Sequence, residues 1–162
     1  MNKIIIAVAI LILGGIIWAA RPEKQNNIVP ASAGMGSLIV EEANNYDFGS
    51  ISMAAGKVKH LFKIKNAGDE PVSVNKMYTS CMCTAASLIK NGERFGPYGM
   101  PGHGFIPRID QTIGPNEEAE IEVVFDPAAH GPAGVGKIER VIIIENDAGE
   151  RIELQFSATV TP

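Results

Sequence analysis

From Ser37 onward the chain alternates between apolar and polar positions. Val58, His60, Phe62 and Ile64 are interleaved with Lys57, Lys59, Leu61, Lys63 and Lys65, a period of two that predicts a strand with one apolar and one mostly basic face. Ala119, Ile121, Val123 and Phe125 alternate with Glu118, Glu120 and Glu122, and Ile152, Leu154, Phe156, Ala158 and Val160 with Arg151, Glu153, Gln155, Ser157 and Thr159. Each reads as a half-buried strand, the glutamates on a solvated face. The nearly continuous apolar run Ile138 to Ile144 predicts a central strand covered on both sides. Asn66-Ala67-Gly68-Asp69, Gly114-Pro115-Asn116 and Asn146-Asp147-Ala148-Gly149 supply turn residues and predict hairpins. Strands that bury one face each need a facing sheet. The expected fold is therefore all-β, an immunoglobulin-like antiparallel β-sandwich over residues 37–162, preceded by one N-terminal hydrophobic helix.

That helix is expected because Ile4 to Ala20 contains no charge after Met1-Asn2-Lys3, the pattern of an export signal or a membrane anchor over residues 1–20. Cutting after Ala20 or Ala19 would put Trp18 or Ile17 where a signal peptidase wants a small residue, which favours retention. Residues 21–36, polar with scattered Pro, Ala and Gly, read as a tether. The expectation is a single-pass protein of the cell membrane with its domain outside the cytoplasm, or a secreted one if the segment is cut.

At 162 residues, 46% hydrophobic and 20% charged, the chain suits one folded domain. Its net charge is -4, and setting aside Lys3, Arg21, Glu23 and Lys24 leaves about -6 from Ser37 onward, which excludes a nucleic-acid partner. Two cysteines and three histidines give neither a disulfide framework nor an all-Cys/His four-ligand zinc site. There is no GxSxG elbow, P-loop, GxGxxG or HExxH, so the chain reads as a binding protein rather than an enzyme. The expected partners are a membrane, through the N-terminal segment, and another envelope protein.

Tyr46-Asp47-Phe48-Gly49, Phe62 through Val72, Thr79-Ser80-Cys81-Met82-Cys83-Thr84, Gly114-Pro115 and Val124-Phe125-Asp126-Pro127, in that order, resemble the bacterial exported family of domain of unknown function 1573. That family is similar to the Hydin and major sperm protein branch of immunoglobulin-like sandwiches, so the resemblance implies a fold and no reaction. Two features depart from it: Met82 stands where the family usually has Gly, and Lys90 to Gln111 looks like an insertion. In the resembled fold the cysteines and this insertion flank the same end.

Cys81-Met82-Cys83 is the one dense group of soft ligands. In an extended segment the two thiols point to one side with Cα atoms about 6.6 Å apart, able to converge on one ion, while Met82 points away. The alternatives are two buried core thiols, or a labile disulfide near the upper limit of workable Cα separation. Phe95 to Phe105, with Gly and Pro at alternate places, predicts a shaped loop that displays Met100 and His103. Added to two thiolates, these make a set that suits copper(I), with zinc second. The candidate metal ligands are therefore Cys81, Cys83, Met100 and His103. His130 reads as a solvated turn residue or an additional ligand, and His60 as a core or rim histidine. The expected function is soft-metal storage or transfer. A plain interaction module of the envelope and, third, a thiol oxidoreductase stand as alternatives.

Overall fold

The computed structural model describes residues 35–162. The expected anchor, and the expected tether up to residue 34, lie outside the described residues. Among the described residues no helix is long and apolar enough to cross a membrane.

Ten strands make up the domain: β1 (Leu38–Val40), β2 (Asn45–Ser52), β3 (Val58–Asn66), β4 (Val72–Thr79), β5 (Thr84–Lys90), β6 (Glu93–Tyr98), β7 (Gln111–Ile113), β8 (Glu118–Phe125), β9 (Gly136–Asn146) and β10 (Ile152–Thr161). They form two five-stranded sheets, ordered β1-β3-β8-β5-β6 and β2-β10-β9-β4-β7. The alternation read from the sequence sets which side chains meet between them. Phe62 and Ile64 of β3, Ile121, Val123 and Phe125 of β8, and Leu154, Phe156 and Val160 of β10 are all buried. Burying each such side chain is worth about 1.5–3 kcal/mol. Phe156 closes the middle of the core, with Phe48 at 5.3 Å edge-on and Phe125 at 5.2 Å from the facing sheet. His60 is half-buried and stacked on Tyr46, with ring centroids 3.7 Å apart.

The structure corrects several expectations. The sandwich is not wholly antiparallel, because β2 runs parallel to β10. That pairing shifts register between Ser157 and Thr159, where Gly49 at φ 69° lets β2 bulge. Of the three predicted hairpins only Asn146–Gly149 is one, joining the paired β9 and β10. The turns after β3 and β7 instead carry the chain from one sheet to the other. The β5–β6 hairpin turns on Asn91-Gly92, at φ 51° and 81°, the pair of positive values a type I′ turn requires. The run Ile138–Ile144 is central in its sheet but buries one face, with Ile142 and Ile144 inward and Val141 and Ile143 half-exposed. Glu122 is not on a solvated face: it is buried between β3 and β5, paired with Arg94 and with Lys59 at 3.6 Å. The Arg94 hydrogen bond holds its carboxyl below the ordinary value. Finally, Phe95–Tyr98 is strand rather than loop, because β6 is an edge strand and Pro97 there forfeits no interior ladder bond.

Three sheet-to-sheet crossings, β4–β5, β6–β7 and β8–β9, are pinned to one another at one end of the sandwich. Asp126 N–H donates to Cys83 O at 2.9 Å, and Thr79 N–H to Gly99 O at 3.1 Å.

Candidate metal centre

Cys81 and Cys83 lie in the β4–β5 crossing, and they are not extended. Thr84 N–H donates to Cys81 O at 3.1 Å, closing a four-residue turn. The buried Thr79 hydroxyl reaches the carbonyl oxygens of both Cys81 and Thr84 at 3.0 Å. A chain that must leave one sheet and enter the other within four residues has to turn, and these bonds satisfy the polar groups the turn buries. The turn brings the sulfurs far closer than an extended segment would, to 2.6 Å, with both thiols free. Met82, between them, is 53% exposed, against 9% for Cys81 and 2% for Cys83.

The β8–β9 crossing supplies the third ligand. Ala128 N–H donates to Asp126 Oδ1 at 3.0 Å and Gly131 N–H to Ala128 O at 2.9 Å. This pair of tight turns presents His130, whose Nε2 lies 3.1 Å from Cys81 Sγ. The ligand atoms of Cys81, Cys83 and His130 all fall within 4.8 Å of one another. Arg140, on the core-facing side of β9, closes the group: its Nε donates to Cys83 Sγ at 3.3 Å.

These neighbours divide the thiols. Burial pushes Cys81 up, but hydrogen bonds from the Cys83 thiol, the Cys83 backbone N–H and His130, with the Arg140 charge, outweigh it. The result falls from an ordinary 9.0 to about 7. Burial pushes Cys83 up as well, and donating its proton to Cys81 holds it there against Arg140 and Thr84. Near neutral pH Cys81 is therefore about half thiolate while Cys83 keeps its proton, so what negative charge the pair carries is centred on Cys81. In the reduced, metal-free protein, iodoacetamide should alkylate Cys81 before Cys83 with a midpoint near pH 7. Arg140→Met should move that midpoint upward. Two thiols titrating together at the ordinary value would show that the cluster does not form in solution.

Of the four ligands expected from sequence, the structure brings Cys81 and Cys83 together and places Met100 and His103 elsewhere. These two line a surface pocket with Met82, on the outer side of the same turn. His130 takes the position beside the sulfurs. Arg140 was not singled out, although a charged residue in phase with Ile138, Ile142 and Ile144 was the available signal.

The fold and this cluster define a class: a two-sheet β-sandwich that carries a compact Cys-His-Cys group where its crossing loops meet. Residues 39–96, a segment that includes both cysteines, match the family model described as Protein of unknown function (DUF1573). No curated protein matches the chain. Among solved structures, a protein of unknown function from Porphyromonas gingivalis W83 is similar at 15% identity and a TM-score of 0.57, over 82% of this chain and 51% of that one. A family 123 glycoside hydrolase from Clostridium perfringens is similar at 10% identity and a TM-score of 0.53, over 74% of this chain and 23% of that one. The PapD-like domain 7 of human CEP192 gives 11% identity and a TM-score of 0.47, over 80% and 87%. The chain spans about half the length of the Porphyromonas protein. For the Porphyromonas and Clostridium proteins, at these identities, the likeness is one of fold.

Proposed function

We propose that the domain binds a soft metal ion, copper(I), at Cys81, Cys83 and His130, for storage or for transfer to a partner in the cell envelope. The observation that carries this reading is the convergence of two sulfurs and one imidazole nitrogen within 4.8 Å. Two thiolates and an imidazole suit copper(I), whereas zinc in such a site needs a further ligand. Metal–sulfur bonds of about 2.3 Å at the trigonal angle of a three-ligand site hold two sulfurs about 4.0 Å apart. Uptake therefore spreads the pair from 2.6 Å, and His130, exposed on its loop, is free to follow. Arg140 offsets the negative charge of two thiolates around a monovalent ion.

The test is an anaerobic titration of the full reduced chain with copper(I) against a chromophoric chelator. Tight binding with a thiolate-to-copper absorption band, lost in Cys81→Ser/Cys83→Ser, is the expected result. No binding beyond that of the double variant sinks the reading. A second reading, a thiol–disulfide couple, is favoured by the short sulfur–sulfur approach alone. A two-electron oxidation that links Cys81 to Cys83, measured in a dithiol redox buffer with chelator present, would support it.

A further inference from the structure

The β6–β7 crossing also carries soft donors, and the fold sets them beside the cysteine turn. Thr79, two residues before Cys81, donates its N–H to Gly99 O at 3.1 Å, which fixes the start of the loop. Met100-Pro101-Gly102-His103 then folds back on itself, with His103 N–H donating to Met100 O at 3.4 Å. Pro101 supplies the preset φ of such a turn, and Gly102, at φ 89°, the left-handed one. Met100 and His103 therefore stand at the two ends of one turn. Both line a pocket of about 290 Å³ together with Met82, Phe105 and Ile106. Phe105 is 89% exposed and Met82 53%, an unusual outlay of apolar surface for one rim of a small domain.

We propose that Met82, Met100 and His103 form an outer soft-ion site that takes up copper(I) and passes it to the cluster of Cys81, Cys83 and His130. The proposal rests on the metal reading of that inner cluster. No carboxylate, lysine or arginine lines the pocket, so it offers hard cations nothing. Two thioethers and an imidazole are ligands that copper(I) accepts. Thioethers need not lose a proton to bind, so an ion can land there without displacing one. Thiolates are the stronger donors, and each cysteine is the chain neighbour of Met82. The transfer is ligand exchange: bonds from copper to the outer donors break, and bonds to the two sulfurs and the His130 nitrogen form. The Cys83 proton, and that of Cys81 where it is still a thiol, leave to solvent, and the ion remains copper(I) throughout.

The experiment titrates the full reduced chain anaerobically with copper(I), reading stoichiometry by native mass spectrometry and the inner site by its thiolate band. Met82→Leu/Met100→Leu/His103→Ala keeps side-chain volume at both methionines and touches only solvent-accessible positions. The wild type should bind two ions. The triple variant should bind one, with its thiolate band intact and growing more slowly from a chelated copper(I) source. Cys81→Ser/Cys83→Ser should also bind one, more weakly and without the band. A wild type that saturates at one ion with a full band overturns the outer site and leaves the inner reading standing. A triple variant that keeps two ions and the wild-type rate overturns it as well. An ion bound without the band, and lost in the triple variant, supports the outer site while removing the inner one and the transfer between them.

Discussion

Between pH 7 and pH 5 the two thiols alone are expected to lower the affinity of the cluster for copper(I) by at least about 5,000-fold, because the ion must displace the proton of each. The sign follows from the two thiols separately. Cys81, brought down to about 7 by its hydrogen bonds and the Arg140 charge, is about half thiolate at pH 7 and about one percent thiolate at pH 5, a loss of about 50-fold. Cys83, held above the ordinary value by burial and by its bond to Cys81, is protonated throughout this range and contributes about 100-fold over two pH units. Above pH 7 Cys81 has already lost its proton, so only Cys83 releases one. The logarithm of affinity should then rise by about one per pH unit, against two or more per unit well below pH 7. A competition titration at several pH values, corrected for protonation of the chelator, should therefore show a bend near pH 7. A slope of two maintained to pH 9 would mean that neither sulfur is a thiolate at neutral pH. His130→Ala and Arg140→Met should each move the bend upward, since each removes a group that holds charge on a sulfur.

The strand core was legible because its signal is local. A period of two at Phe62 and Ile64, at Ile121 and Val123, and at Leu154 and Phe156 needs no knowledge of partners, and all six side chains are buried. The cysteine pair was legible too, as the one concentration of soft donors. The arrangement around it was not, since it depends on contacts distant in sequence. Cys81 and Cys83 turn rather than extend because Thr79 binds the carbonyls on either side of the turn. His130 reaches them because Asp126 N–H holds the next crossing to Cys83 O. Arg140 lies 57 residues from Cys83. The glycine–proline segment drew attention to Met100 and His103, and the family resemblance placed them at the right end, but neither said which face of the turn they would meet. Composition identifies soft ligands, whereas only the topology of the crossings sorts them between an inner pair and an outer pocket.

The same dependence on crossings makes Asn66 the residue whose loss should cost the fold most without touching the sulfur cluster. It ends β3 where the chain leaves for the other sheet, it is fully buried, and its amide uses every hydrogen-bonding position. Its Oδ1 accepts from Ser37 N–H at 3.1 Å and Gly68 N–H at 3.0 Å, and its Nδ2 donates to Glu70 O at 2.8 Å and Ile113 O at 3.0 Å. One side chain thus fastens the approach to β1, the β3–β4 crossing and the end of β7. Asn66→Ala takes this partner from four backbone groups. Those near Ser37 and Gly68 lie close to solvent and regain water, but Ile113 is completely buried, so its carbonyl bears the larger cost. At about 1–3 kcal/mol for each buried group left unsatisfied, the expected destabilisation is about 2–4 kcal/mol. Asn66→Asp should be worse than alanine: it keeps the acceptor but loses both donors and sets a charge against two carbonyl oxygens. Chemical denaturation of the full chain measures both. A change below about 1 kcal/mol for Asn66→Ala would mean that water replaces the amide even at Ile113. The copper(I) titration should be unaltered in folded Asn66→Ala, since the cluster is held by Thr79, Asp126 and Arg140 and not by this residue.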